Sequence, residues 1–303
     1  MMLTATDLSV HFRASLFRRK VKALDGLNLV IQEGEFFALL GQNGAGKSTA
    51  MYCFLGLLRP SSGSVRVLGE VPRPGSPVFA SIAYLPEDPH YHPYLSIDEA
   101  LQYYAALYRT RLTAQERIAL LDRFELGEAR NQKLGTCSKG MKQKFGIAQC
   151  LLCRPRLMFL DEPMRGLDPL AVHTFRDILR DLHRSGTTIV MNSHIMAEIE
   201  MVATRAAVID HGKLVVEDRI ENLTRLGGGE YEVALEGTGS LPGCLKITHR
   251  SGTMVQGTVQ EPDLYDLLDH ARSNRLKLVK CSLKKATLEE SFLAILEAQR
   301  ASA

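Results

Sequence analysis

No run of 18 apolar residues occurs anywhere in the 303-residue chain, which excludes a helix long enough to cross a bilayer. The opening residues, Met1-Met2-Leu3-Thr4-Ala5-Thr6-Asp7, lack the basic and apolar blocks of a secretory signal. The expectation is therefore a cytoplasmic chain unless a partner tethers it. Cysteine is sparse and scattered, at Cys53, Cys137, Cys150, Cys153, Cys244 and Cys281, which excludes the disulfide framework of a small secreted domain. Cys150 and Cys153 form a CxxC without a second cysteine or histidine pair at finger spacing, so reduced core thiols are the better reading than metal or redox use. The charge excess is only +3, too small to argue for nucleic acid or an acidic surface. Internal repeats and low-complexity tracts are also lacking. With 45% hydrophobic and 23% charged residues, the chain can bury a core and has room for one large domain plus a smaller one.

Short strands open the chain. Leu8, Val10 and Phe12 alternate, a basic segment over residues 13–22 interrupts, and residues 24–30 resume an apolar pattern. Arg18-Arg19-Lys20 in that interruption reads as a solvated hairpin tip, its other reading being a contact with anionic lipid. Phe36-Phe37-Ala38-Leu39-Leu40 fits a strand buried on both faces and runs into a glycine loop. A helix is expected next, with Met51, Phe54, Leu55 and Leu58 on one face. Residues 95–150 are helical in pattern, with Leu101, Tyr104, Ala105 and Tyr108 on one stripe and Met141, Phe145, Ala148 and Leu152 on another. Apolar strands return at residues 157–160 and 188–191. A hairpin joined through His211-Gly212 closes the region. Leu226-Gly227-Gly228-Gly229 reads as a domain boundary. Beyond it the pattern gives strands near residues 231–235, 245–247 and 254–259, a helix over 263–272, a strand at 276–280 and a last helix. Thr287-Leu288-Glu289-Glu290 opens that helix as a capping box.

Gly41-Gln42-Asn43-Gly44-Ala45-Gly46-Lys47-Ser48-Thr49 is a complete P-loop, with a strand before it and a helix after. Its glycines let backbone N–H groups wrap phosphates, and the helix start adds its positive end. Lys47 supplies charge to the β- and γ-phosphates, and the Ser48 hydroxyl suits Mg²⁺. Kinases, GTPases and ATPases share this loop, so downstream residues must decide between them. Residues 157–163 place Asp161 and Glu162 at the end of a buried strand. Asp161 suits the magnesium shell, and Glu162 suits a base for the attacking water. Ser138 and Gly140, in Cys137-Ser138-Lys139-Gly140-Met141, read either as a plain helix cap or as a second anion site. His194, at a strand end, is either structural or placed to meet a γ-phosphate.

In this order the motifs resemble the ATP-binding cassette (ABC) family. Beside the P-loop and Asp161-Glu162 stand a Q-loop-like Tyr84-Leu85-Pro86-Glu87, a signature-like segment at Ser138, a D-loop-like Gly166-Leu167-Asp168 and an H-loop-like Asn192-Ser193-His194. The resemblance covers residues 1–222. It implies an α/β P-loop NTPase with a helical subdomain over residues 88–155 and a small α+β accessory domain, the ATPase domain spanning 1–225 and the accessory domain 230–303. It further implies two copies packed head to tail, with MgATP between the P-loop of one and Ser138 and Gly140 of the other. His194 would then clamp the γ-phosphate, and Asp168 would couple the sites. The implied partners are a multi-spanning permease and a second cassette, as a homodimer, with no nucleic acid, and the implied location is the inner face of the membrane.

Three departures stand out. Leu-Ser-Gly-Gly-Gln is replaced by Cys-Ser-Lys-Gly-Met, which keeps the two phosphate-contacting positions. Glu87 replaces the usual glutamine and still offers an oxygen to Mg²⁺, which would neutralise its charge. Phe12 is the nearest match to the adenine-stacking aromatic, or else a core phenylalanine. The signature, Leu85-Pro86-Glu87 and Thr287-Leu288-Glu289-Glu290-Ser291-Phe292-Leu293 resemble bacterial ABC-2-type exporters of the drug-resistance and polysaccharide class, which implies export without naming a cargo. The aromatic stretch Asp88-Pro89-His90-Tyr91-His92-Pro93-Tyr94 is either a seat for a permease helix or a loop packed on the helical subdomain. A soluble ABC ATPase outside transport is the alternative. A non-hydrolytic scaffold is disfavoured by Glu162 and His194.

Overall fold

The computed structural model describes residues 1–13, 20–224, 229–284 and 286–301. Arg18 and Arg19 of the basic segment, and Leu226, Gly227 and Gly228 of the expected boundary, lie outside the described residues. Two compact units result, Met1–Ile220 and Glu221–Ala303. The first begins β1 (Leu3–Arg13), β2 (Lys20–Ile31), β3 (Phe36–Leu40), α1 (Lys47–Phe54), β4 (Ser62–Val67) and β5 (Ile82–Leu85). Three helices follow, α2 (Ile97–Leu107), α3 (Ala114–Arg123) and α4 (Lys139–Cys150). Then come β6 (Leu157–Asp161), α5 (Pro169–Arg184), β7 (Thr188–Asn192), α6 (Met196–Val202), β8 (Arg205–Asp210) and β9 (Lys213–Arg219).

Every residue of β3, β6 and β7 is buried, as continuous apolar runs demand of strands covered on both faces. They lie in a six-stranded sheet of order β5-β6-β7-β3-β8-β9. Its pairings are parallel except for the antiparallel β8–β9 hairpin. A three-stranded antiparallel sheet, β2-β1-β4, stands apart from it. One buried cluster unites Leu8, Val10, Leu27 and Val65 of the small sheet, Ala50, Met51 and Phe54 of α1, and Leu39, Phe159 and Val190 of the large sheet. The rings of Phe54 and Phe159 lie 6.4 Å apart at its centre. Helix α1 thereby packs between the two sheets, and its first turn, Lys47-Ser48-Thr49, ends the P-loop.

The helical stretch follows local rules closely. Ser96 with Glu99 and Thr113 with Glu116 form capping boxes at α2 and α3, each satisfying end N–H groups reciprocally. Arg117 on α3 reaches Asp98 on α2 through two bonds of 2.8 and 3.1 Å. Cys150 is fully enclosed at the end of α4, and burial pushes its thiol up to about 12, which keeps it protonated near neutrality.

The short turn α7 (Ile220–Leu223) carries the division between units. The second unit adds β10 (Glu230–Glu236), β11 (Lys246–Ser251), β12 (Met254–Gln260), α8 (Leu264–Ser273), β13 (Lys277–Leu283) and α9 (Leu288–Ala301). Its antiparallel sheet has the order β11-β12-β10-β13. Val233, Leu235, Val255 and Val259 bury against Leu264, Leu267 and Ala271 of α8. The expected capping box is present at α9: Thr287 N–H donates to Glu290 Oε2 at 2.7 Å, and Glu290 N–H donates to Thr287 Oγ1 at 3.2 Å.

Candidate functional site

Parallel neighbours point their carboxyl ends the same way, and the loops beyond those ends share one crevice. Here β5, β6, β7 and β3 deliver four loops to that edge. Glu87 follows β5, Asp161 ends β6 with Glu162 just after it, His194 follows β7, and the P-loop follows β3. A cavity of about 190 Å³ is lined by Asn43, Gly44, Gly46, Lys47, Ser48, Thr49, Glu87, Asp161, Glu162 and Arg165, with Ala23 beside them.

The P-loop geometry depends on absent side chains. A Cβ on Gly46, whose φ is +109°, would lie 2.5 Å from the Ala23 carbonyl oxygen. One on Gly41 would lie 2.3 Å from the Ile209 carbonyl oxygen. Lys47 is 6% exposed and donates to the carbonyls of Gly41 at 2.7 Å and Gln42 at 3.2 Å. Burial lowers its pKa, opposed by the carboxylates of Glu162 and Asp161. The ammonium is thus folded onto its own loop and brought towards where phosphates would sit. Ala45 closes the loop from behind, its N–H donating to Gln42 O and its carbonyl accepting from Gly212 N–H at 2.9 Å.

Gly212 went unnoticed in the sequence as a part of this site. At φ +79° its Cβ would stand 2.7 Å from Ala23 O and 2.9 Å from Leu24 Cα, and its carbonyl accepts from Asp25 N–H at 2.9 Å. The hairpin therefore braces the P-loop against β2. Gly212→Ala is expected to cost about 2 kcal/mol through the strained conformation and the clash, a fall of roughly 4–8 °C in Tm. Differential scanning calorimetry checks it, and an unchanged Tm would show that the hairpin can move aside.

Asp161 is buried, and the Tyr84 hydroxyl donates to its Oδ2 at 3.4 Å. Burial raises its pKa, partly opposed by hydrogen bonds from Asn192 and Tyr84, while the nearby Glu162 and Glu87 push the same way as burial. Glu162 turns the chain in the left-handed conformation, φ +46°, a cost for a residue with a side chain. Two 3.0 Å bonds from its N–H to Asn192, one to the carbonyl and one to Oδ1, hold that turn. Its carboxylate meets the His194 ring, with Nδ1 at 2.8 Å from Oε2. His194 was read as structural or as placed to meet a γ-phosphate, and its ring partner in the structure is Glu162.

The other predicted residues stand elsewhere in the unit. Ser138 caps α4, its Oγ accepting from Met141 N–H at 3.2 Å, as the simple cap reading requires. Gly140 sits in the same first turn. Asp168 caps α5, accepting from Ala171 N–H at 2.9 Å. None of these three lines the cavity. Phe12 pairs with Val21 across β1 and β2 and is 45% exposed, which overturns the core reading of that residue. It does not line the cavity either. Arg165, unnoticed in the sequence, does, and it forms an ion pair with Glu87. Tyr91 of the aromatic stretch packs edge-on against Phe145 at 4.9 Å and Tyr104 at 6.1 Å, whereas Tyr94 is 64% exposed.

Ser48, Asp161 and Glu87 bring only oxygen donors to the cavity, the chemistry that Mg²⁺ prefers. Among the described residues no three His, Cys, Asp or Glu side chains form a metal site by themselves. Mg²⁺ is commonly held by one or two carboxylates together with waters and phosphate oxygens, and Ser48, Asp161 and Glu87 would supply the protein's share.

Comparison with known proteins agrees with this geometry. The ABC transporter family model matches residues 24–165. An uncharacterized ABC transporter ATP-binding protein of Nostoc sp. is 35% identical over 99% of this chain and 91% of its own. The daunorubicin/doxorubicin resistance ATP-binding protein DrrA of Streptomyces peucetius is 34% identical over 90% of this chain and 88% of its own. A solved ATP-binding subunit of an ABC transporter superposes with a TM-score of 0.63 at 31% identity, covering 74% of this chain and 92% of that one. The chain belongs to the ATP-binding subunits of ABC transporters, and it is an ABC-type ATPase.

Proposed function

We propose that residues 1–225 bind and hydrolyse MgATP at a head-to-tail interface between two copies, and that the cycle drives export through a separate membrane permease. The convergence of the P-loop, Asp161, Glu162 and His194 on one sheet edge supports this reading most directly. In this assignment the P-loop, residues 41–49, cradles the triphosphate through its backbone amides. Lys47 neutralises the outer phosphates. Ser48, Asp161 and Glu87 hold Mg²⁺, which when bound screens the phosphate charge and fixes its geometry. Glu162 orients the attacking water and takes its proton. His194, whose ring stands beside the Glu162 carboxylate, is assigned to the γ-phosphate. Phe12, at the far end of β1, is assigned to the adenine.

Ser138 and Gly140 are exposed or half-exposed at the start of α4 and away from the chain's own cavity. That placement suits residues that complete a partner's site, and Asp168 at the start of α5 is assigned to coupling the two sites. No helix among the described residues is long and apolar enough to cross a membrane, and a separate multi-spanning chain is assigned to carry the cargo. The drug resistance named for DrrA favours export for this chain too and leaves the cargo open. Residues 230–303 are assigned to an accessory domain. Expression with an affinity tag in the native host tests the coupling. A multi-spanning protein is expected to co-purify from solubilised membranes. Full ATPase activity in a chain that never associates with membranes would favour an ABC ATPase outside transport.

A further inference from the structure

The nucleotide cavity carries an unusual balance of charge. Its ionisable lining comprises three carboxylates, Glu87, Asp161 and Glu162, against two cations, Lys47 and Arg165. Such a site is net anionic before any triphosphate enters. Lys47 already spends hydrogen bonds on the carbonyls of Gly41 and Gln42. Glu87 contributes the extra carboxylate at a position where a neutral glutamine would leave the lining balanced.

Arg165 meets that carboxylate directly. Both backbones are pinned independently of the ion pair. The Glu87 carbonyl accepts from Nε2 of the buried Gln143 at 3.0 Å. Arg165 N–H donates to the Glu162 carbonyl at 3.1 Å, in the turn that follows β6. The side chains, 52% and 40% exposed, form a pair of the kind that contributes little to stability. Its position, at the rim of the phosphate cavity, matters more than its strength.

We propose that Arg165 is the counter-ion that makes a glutamate workable at position 87, cancelling a carboxylate that would otherwise repel the triphosphate. The inference rests on the nucleotide assignment above and adds to it a residue that sets affinity. Coulomb's law assigns opposite signs to the two single substitutions. Arg165→Met leaves Glu87 uncompensated and weakens binding. Glu87→Gln releases Arg165 to face the phosphates and strengthens it. Removing both restores the original net charge. The contrast is greatest without Mg²⁺, because the metal otherwise offsets the same charge.

Isothermal titration of the full chain with ATP in excess EDTA reads this without hydrolysis. Screened interactions of this kind predict Arg165→Met to bind about fivefold more weakly and Glu87→Gln about fivefold more tightly, with the double variant within about twofold of the unmodified protein. Arg165→Lys, which keeps the charge, is expected to bind as the unmodified protein does. The half-exposed pair leaves the fold intact, so all four variants should melt together without nucleotide. Equal affinities for the unmodified chain and every variant would overturn the proposal while leaving the nucleotide site standing. A double variant as weak as Arg165→Met alone would overturn it too, because Arg165 would then act on phosphate irrespective of Glu87. Failure of the unmodified chain to bind ATP with or without Mg²⁺ would instead remove the nucleotide assignment, and this inference with it.

Discussion

Glu162→Gln is expected to bind MgATP, hold it, and turn it over at least about a hundredfold more slowly, the usual size of a general-base contribution. The amide is nearly the same shape as the carboxylate. It keeps an oxygen that can accept from His194, whose Nδ1 stands 2.8 Å from Glu162 Oε2. The two bonds that fix the left-handed turn come from the backbone N–H to Asn192 and survive the change. What disappears is the capacity to take a proton from water. Single-turnover assays separate the steps, since binding should be intact and cleavage lost. Turnover within a few-fold of normal would remove Glu162 from the role of base.

The second large effect is expected at the P-loop. Lys47→Ala removes a buried ammonium that now bonds to Gly41 and Gln42 at 2.7 and 3.2 Å. Charge-assisted hydrogen bonds to phosphate are worth about 1.5–3 kcal/mol each. Losing one of them predicts affinity weaker by roughly ten- to a hundredfold. Thermal stabilisation by nucleotide follows from linkage. At a concentration a hundred times the original Kd, stabilisation of about 2.7 kcal/mol should fall to about 0.4 kcal/mol when affinity drops a hundredfold. The measurement is the nucleotide-dependent shift in Tm. An unchanged shift would mean that Lys47 never reaches the phosphates.

Much of this site could be read in the sequence because its parts are local. The P-loop needs glycines at positions where φ is positive or a Cβ would strike a carbonyl, and Gly41 and Gly46 meet both neighbours as the motif implies. The buried runs of β3, β6 and β7 declare themselves by continuous apolar residues. The caps of α4 and α9 follow from hydroxyl and carboxylate chemistry within three residues, whereas the cap that Asp168 gives α5 was not read from the sequence.

Contacts between distant segments were not legible. Arg165 meets Glu87 across 78 positions, and nothing in a single sequence pairs them. Gly212 was read as a turn residue, which it is, yet its closeness to Ala23 arises only when β9 folds back beside β2. Phe12 illustrates the limits of alternation. It takes its place in β1 as the pattern requires, but near the strand's end, where the sheet no longer covers it, 45% of it stays exposed. His194 was recognised by its place in a motif, and its partnership with Glu162 depends on β6 and β7 lying side by side.

The proposed cycle requires nucleotide to be held between two copies rather than within one. Light scattering on Glu162→Gln, with and without MgATP, measures this. The expected mass is 33.6 kDa without nucleotide and twice that with it. A variant that binds MgATP and still scatters as a single chain would contradict it.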